Sequence, residues 1–341
     1  MHRPRVILSL ALVLSLCACS RSANSAPRQD GLETLVLRYE GNTNNVSIPE
    51  LAEDLGYLAP VKLQYMGNNS TGGPHSIQAV VTGDIDIGSS FNGAIIKLIA
   101  AGAPIRSVLA SYGTDSQTFS GFYTLEGSPI RGAKDLVGKK IAMNTLGAHS
   151  EFVLKEYLLR GGVTAEQAKQ VTMVVLPPVN CELALRNQQV DVVAFTTLYR
   201  DRASERGGIR MLFSDHEMIG SFNAGSYVMT KKFLETKPNT ARKFVQAAGR
   251  AIAWARSTPR EQVIARFAAI VSKRKRNEDT SVLRHWRSYG IASEHGELTD
   301  KDFAIWVDWL VADGQLAKGQ LKLTDLYSNA YQPQSRSLAA K

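Results

Sequence analysis

Ser89-Ser90 and the run Thr145-Leu146-Gly147-Ala148-His149-Ser150 each stand immediately before an apolar stretch with helical spacing. A helix N-terminus exposes unpaired N–H groups and carries partial positive charge, so two such starts facing one another can cradle an oxyanion. Gly147 would let the backbone approach closely, and His149 could donate to the anion or simply sit at the rim. Five other short stretches share this make-up of Asn, Ser, Thr and Gly: Asn42 to Asn45, Tyr112 to Gln117, Pro178 to Asn180, Thr196 to Tyr199, and Ser221 to Asn223. The expected ligand-binding set is therefore Asn42, Asn44, Asn45, Ser89, Ser90, Asn92, Tyr112, Thr114, Thr145, Gly147, Ala148, His149, Ser150, Asn180, Thr196, Thr197, Phe222 and Asn223. Any one Ser or Asn before a helix serves equally as a plain N-cap. Tyr39, Tyr112, Tyr199 and Phe222 either wall the pocket or belong to the core.

Catalytic patterns are weak by comparison. Asn180-Cys181 at a helix start could lower a thiol pKa and make a nucleophile, but no His or carboxylate accompanies it in a recognisable motif, so a buried structural cysteine is expected. The six histidines are dispersed and show neither HExxH nor CxxC spacing. There is no P-loop and no GxSxG. The expectation is a binding protein, with no enzyme activity, cofactor or metal. Trp306 and Trp309, with Phe303 and Leu310, stripe one helix and read as core.

The loops are positioned by strands alternating with helices. Strands are expected at Leu35 to Tyr39, Val61 to Met66, Ile105 to Tyr112, Lys139 to Met143, Val171 to Leu176, Val190 to Thr196 and Ile209 to Phe213, and Gly83 to Gly88 is expected as a turn running into a further short strand. Helices are expected from Ser47 to Leu55, Ile77 to Thr82, Phe91 to Ala101, Ser150 to Arg160 and Glu182 to Gln188. Such alternation signals parallel sheets with helical crossovers, in which ligands bind beyond the carboxyl ends of the strands. Gly220 to Met229 leads into a helical tail of Asn239 to Ala255, Arg260 to Val271, Thr280 to Tyr289 and Asp300 to Ala312.

Arg3 and Arg5 precede an apolar run, Val6 to Leu16, too short to span a bilayer and of signal-peptide length. Leu16-Cys17-Ala18-Cys19 reads as a lipobox in which Cys19 is acylated. An ordinary cleaved secretion signal is the alternative. Residues 19–32 would then be the lipidated cysteine and a flexible tether. Cleavage would leave Cys181 without a disulfide partner. The chain carries 40 basic and 31 acidic residues, a net charge of +9, and loss of Arg3 and Arg5 leaves +7. The charge is scattered, which argues against nucleic acid. The only basic run, Lys273-Arg274-Lys275-Arg276, is expected to be a solvated loop or to face an anionic membrane or partner surface.

Gly83-Asp84-Ile85-Asp86-Ile87-Gly88, Ala101-Gly102-Ala103-Pro104-Ile105, Ile130-Arg131-Gly132-Ala133-Lys134-Asp135-Leu136 and Ala184-Leu185-Arg186-Asn187-Gln188-Gln189-Val190-Asp191 resemble, in order and spacing, the type II periplasmic substrate-binding proteins of ABC importers. The nitrate, sulfonate, taurine and thiamine-precursor binding group is the most similar. That resemblance implies an α/β fold of two lobes, two mixed or parallel sheets, a hinge of two crossing segments and a helical C-terminal part. The division implied is 33–117 with 226–330 for lobe one, 118–225 for lobe two, and 331–341 as a tail. The implied partners are a small-molecule ligand, an ABC permease and its ATPase, with the membrane reached only through the lipid. The implied state is a monomer in the periplasm or at the cell surface. An enzyme acting on a pyrimidine-type molecule, or a sensing or partner-docking lipoprotein, are the alternatives. Asn187 departs from the glycine usual in this group, so a helix ends there with less help from a C-cap.

Overall fold

The computed structural model describes residues 31–69, 73–195 and 197–333; the expected leader, Cys19 and Thr196 lie outside the described residues. The first lobe runs β1 (Val36–Gly41), α1 (Ile48–Asp54), β2 (Lys62–Asn68), α2 (Gly73–Thr82), β3 (Gly88–Phe91), α3 (Asn92–Ala100) and β4 (Ile105–Thr114). The second holds β5 (Gly121–Leu125), β6 (Lys140–Met143), α4 (His149–Arg160), α5 (Ala165–Ala168), β7 (Thr172–Val175), α6 (Pro178–Arg186), β8 (Val192–Phe195), α7 (Thr197–Glu205), β9 (Ile209–Ser214) and α8 (Asp215–Ile219). The chain then returns through β10 (Phe222–Thr230), α9 (Lys231–Thr236), α10 (Pro238–Ser257), α11 (Arg260–Arg274) and α12 (Lys301–Ala312).

The two lobes have matching sheets. In the second the strand order is β7-β6-β8-β5-β9, with β6 parallel to β7 and β8, and β5 antiparallel to β8 and β9. In the first, β1 and β2 pair in parallel, a Tyr39–Ile87 bridge links them to the chain entering β3, and β10 lies antiparallel between β3 and β4. This is the two-lobed, mixed-sheet fold expected. The segments 115–120 and 215–221 cross between the sheets, and β10 pairs in the first sheet from Phe222 onward.

Each lobe is held by its own core. The first packs Leu37, Ile48, Leu51, Ile95 and Val228 against the α10 stripe of Ala241, Phe244, Val245, Ala248 and Ile252, and against Phe303, Trp306 and Leu310 of α12. Full burial of one such aliphatic or aromatic side chain is worth about 1.5–3 kcal/mol. The second sheet is sandwiched: Phe122, Leu136, Ile141 and Leu154 fill one face, and Ala142, Cys181, Leu185 and Phe195 the other.

Several elements differ from expectation, and α5, α7, α8 and α9 correspond to no helix expected from the sequence. Gly121–Leu125 and Phe222–Thr230 are strands although neither was assigned as one. Thr280 to Tyr289 is no α-helix: only Ser281–His285 forms a 3-10 turn, and the chain then runs extended. Trp286 and Tyr289 pack against Phe267 there, while Arg260 donates from Nε to Trp286 O at 2.7 Å, so tertiary contacts take the carbonyl a helix would need. Helix α6 starts at Pro178, which suits a first turn that lacks N–H partners. Beyond it the left-handed residue is Gln188 (φ 56°), one place after Asn187.

Candidate ligand site

The ends of β3, β4 and β6 meet at the crossing segment that carries Asp215, and this is where expected site residues collect. His149, at the start of α4, reaches into the first lobe. Its ring stacks on Phe91 at 5.1 Å and 6°, with Tyr112, Phe222 and Trp306 around it at 6.0–6.5 Å. Its Nε2 lies 3.1 Å from Oδ2 of Asp215, which is fully buried. Asp215 also accepts from Thr114 Oγ1 at 2.9 Å, Ser120 N at 3.1 Å and His216 N at 2.7 Å. One turn along α4, Phe152 packs on Phe91 and Trp309 in the same first-lobe core. The Tyr112 ring lies where a side chain on residue 225 would stand, so Gly225 admits it, and burial raises the Tyr112 pKa.

Ser89 and Ser90 stand at the first-lobe wall of this region. Ser89 Oγ donates to Ser111 Oγ at 2.7 Å. Ser90 is 2% exposed and its hydroxyl has no hydrogen-bond partner. That hydroxyl points at the start of α2: a Cβ built on Gly73 would lie 2.3 Å from it. The ten-residue helix α2 thus presents its N-terminus to an unpartnered buried hydroxyl.

Other expected residues serve the framework. Asn92 donates from Nδ2 to Asn223 O and Asp302 O and accepts from Ser226 Oγ. Asn223 donates from Nδ2 to Glu297 O and Asp302 Oδ2 and accepts from Ala292 N. Both amides are buried and engaged in these hydrogen bonds. Thr114 is likewise buried on Asp215. Asn44 (φ 59°) ties β1's following loop to the chain after α11 through Glu278 and Asp279. Asn45 Oδ1 accepts from Val46 N.

In the second lobe Ala148 is the N-cap of α4 and Ser150 is buried behind it. Gly147 has φ +69° and nothing within 4 Å of a would-be Cβ. Its N–H is already engaged at 2.8 Å by Glu151 Oε2. Burial opposes ionisation of Glu151, but the Gly147 N–H and the Lys155 ammonium outweigh it and hold the carboxyl below its ordinary range. Asn42 and Asn180 are exposed, Thr145 is half-buried, and Thr197 opens α7.

The basic run is divided: Lys273 and Lys275 are exposed, while Arg274 and Arg276 are held in the fold. Arg274 is buried between Glu50 (2.9 Å) and Glu278 (3.1 Å). Arg276 lies 3.3 Å over the Tyr65 ring, and Lys273 reaches Asp54 at 3.2 Å. Tyr39 OH donates to Glu50 at 2.8 Å in the same network. The sequence alone could not reveal this, because Glu50 and Arg274 lie far apart along it.

Cys181 is free and buried, and burial pushes its thiol up to about 11. Such a thiol is a poor nucleophile. Among the described residues no group of three His, Cys, Asp or Glu is placed to hold a metal ion, and no helix is long and apolar enough to cross a membrane. An apolar groove of about 630 Å³ opens between α4, α5 and α12, lined by Leu158, Val163, Met173 and Trp309. It lies toward the amino end of β7, away from the loops, and its lysines, Lys155 and Lys169, are paired with Glu151 and Glu166.

Asp215, Phe91, Trp306 and Gly73 complete the region without having been expected there. Asp215 is masked in the sequence by standing in Ser214-Asp215-His216-Glu217, which reads as an ordinary helix start; Ser214 indeed accepts from Glu217 N.

Residues 46–262 match the family described as NMT1/THI5 like. A protein of Escherichia coli (strain K12) named for binding aliphatic sulfonates is 26% identical over 264 residues, covering 76% of this chain and 77% of that protein. The crystal structure of the periplasmic aliphatic sulphonate binding protein SsuA from Escherichia coli superposes with a TM-score of 0.65 at 21% identity, over 86% of this chain and 92% of that one. The periplasmic nitrate-binding protein NrtA from Synechocystis PCC 6803 gives 0.66 at 13% identity, over 88% of each chain.

Proposed function

The chain belongs to the NMT1/THI5-like family, and from that membership we propose that it is an exported solute-binding protein that captures a small polar or anionic molecule between its lobes. The ligand class is a sulfonate, a nitrate-like oxyanion or a related organic anion, delivered to the permease and ATPase of an ABC importer. The observation that carries the reading is the buried, unpartnered Ser90 hydroxyl facing the N-terminus of α2. A donor with no acceptor beside a positive helix end suits an oxyanion. Names carried by the sulfonate-binding and nitrate-binding relatives support the same class.

Of the expected set, Ser89, Ser90 and Tyr112 remain the proposed contacts in the first lobe. Thr145, Ala148, His149, Ser150, Thr196 and Thr197 are those proposed in the second, with Gly147, whose N–H is taken by Glu151, shaping the loop that carries them. The lobes would close as bodies about the crossing segments. The leader ending before Cys19, lipid on Cys19 and a periplasmic or surface location belong to the same proposal, supported by the lipobox-like Leu16-Cys17-Ala18-Cys19.

A thermal-shift screen over sulfonates, nitrate, carboxylates and pyrimidines tests the ligand class, because a molecule that binds only the folded state raises its stability. We expect sulfonates or oxyanions among the hits. Stabilisation confined to pyrimidines, with turnover, would replace this reading by an enzymatic one.

A further inference from the structure

The described chain enters the first lobe beside a cluster of cations that no carboxylate answers. Asn239 Nδ2 donates to Gly31 O at 3.0 Å, and Glu33 accepts from Asn239 N and Thr240 N, so Gly31 lies on the first turn of α10. Around that turn stand Lys231, Lys232, Lys237 and Arg242, with Lys62 and Arg106 at the starts of β2 and β4. Lys231 N donates to Pro104 O at 2.7 Å, which brings α9 against the entry to β4. Among the described residues none of these six forms an ion pair. Lys237 lies over the Phe233 ring, Arg242 lies over that of Tyr331 and donates to Ala330 O, and Arg106 Nε is buried without a partner. Burial raises the Tyr331 pKa; the charges of Arg106 and Arg242 oppose the rise and that of Glu235, the acid set among them, adds to it, so all three border one surface. Leu35 and Val36 are exposed at the same end, at 42% and 44%, with Lys62 in register with Val36.

This face is the end of the lobe farthest from the crossing. Strand β4 runs from Ile105 to Thr114, whose hydroxyl sits on Asp215, and β10 returns from Phe222, paired with Thr114, to Thr230, paired with Ile105. Nine strand residues separate the two ends, about 30 Å. The point of chain entry selects the partner. Gly31 stands twelve residues after Cys19, a reach of at most about 40 Å, so lipid on Cys19 would keep this end within about one domain diameter of a bilayer. Lys and Arg within a Debye length, about 8 Å at physiological salt, are drawn to anionic headgroups, and exposed aliphatic side chains beside them enter the interface.

We propose that this basic face docks on anionic phospholipid, adding a second contact to the lipid anchor, and holds the first lobe with the crossing segments turned away from the bilayer. Delivery to a membrane partner then requires the face to let go. The choice of partner rests on the reading of Cys19 as lipidated, and the test dispenses with that lipid so that the two can fail separately.

The chain from residue 19 onward, carrying Cys19→Ser and hence no acyl group, is sedimented with vesicles of phosphatidylglycerol and phosphatidylethanolamine, and with vesicles of phosphatidylcholine. At low ionic strength binding should be at least about tenfold stronger to the anionic vesicles and should fall as added salt shortens the Debye length. Lys231→Glu with Lys232→Glu should weaken it at least about tenfold, since each basic residue at such a surface is worth about fivefold. Lys134→Glu with Lys140→Glu, an equal charge change at exposed positions of the second lobe, should leave it within about twofold. On anionic vesicles Lys231 and Lys232 should react with an amine-acetylating reagent more slowly than Lys134 and Lys140. Equal losses from the two pairs, equal binding to both kinds of vesicle, binding to neither, or protection of the second-lobe lysines instead overturns the proposal. Lipid on Cys19, read by intact mass, and solute capture would stand in each case.

Discussion

His149 Nε2 of the second lobe lies 3.1 Å from Asp215 Oδ2 at the crossing between lobes, with Phe91 of the first lobe stacked on the imidazole. One side chain thereby touches both lobes and a strand-crossing segment. The arrangement gives His149 a framework role at the crossing in addition to any contact with ligand.

Asp215 is fully buried beneath three hydrogen-bond donors and His149. Asp215→Ala strips them of their common acceptor and should cost about 3–5 kcal/mol. His149→Ala should cost less, about 1–3 kcal/mol, through lost stacking and the unanswered carboxylate. Urea denaturation of both variants measures this. A loss under about 0.5 kcal/mol for Asp215→Ala, the range of ordinary surface substitutions, would contradict the assignment.

Arg274 holds Glu50 and Glu278 in a buried network, whereas Lys275 beside it is exposed. Arg274→Ala should lower stability by about 3–5 kcal/mol, and Lys275→Ala by less than about 0.5 kcal/mol. Similar effects from the two changes would mean that the run is solvated after all.

Gly147→Ala places a side chain at φ +69° in open space, so its cost is backbone strain of about 1–2 kcal/mol rather than a clash. Its N–H is already satisfied by Glu151, and affinity for the ligand found by screening should stay within about twofold, well under one hydrogen bond's worth. Thermal melts beside calorimetry check both halves. A tenfold loss of affinity with unchanged melting would restore this loop as the principal anion cradle.

Burial raises the Cys181 thiol from 9.0 to about 11. The unfolded thiol ionises first, so the contribution to stability is complete below pH 9 and falls as pH rises from about 9 to about 11. At pH 8 the folded protein should resist alkylation by iodoacetamide that the urea-unfolded chain undergoes readily. Cys181→Ala should flatten the alkaline part of the stability profile.

The alternation of strand and helix was legible because each parallel strand is a short apolar run followed by a capped helix, as at Ser47-Ile48-Pro49-Glu50. Two of the antiparallel strands were not. Gly121–Leu125 and Phe222–Thr230 each begin directly after a crossing, and Asn223, Gly225 and Ser226 interrupt the apolar pattern of the second. Site reading met the same limit. In sequence Asn92 and Asn223 read like any ligand-reading amide at a strand end, and only the positions of Asp302, Glu297 and Ser226 show them to be occupied.

The placement of β10 has a consequence for biogenesis. The second lobe's sheet is contiguous, complete once β9 has been made, but in the first lobe the strand between β3 and β4 is β10, drawn from beyond residue 221. An emerging chain therefore holds β3 and β4 apart, with their facing edges unpaired, until the whole of the second lobe has been synthesised. Contacts of such long sequence separation form slowly. The contiguous lobe is set to condense first, and the order of chain emergence leaves the lobe bearing Ser90 as the last to acquire its native shape.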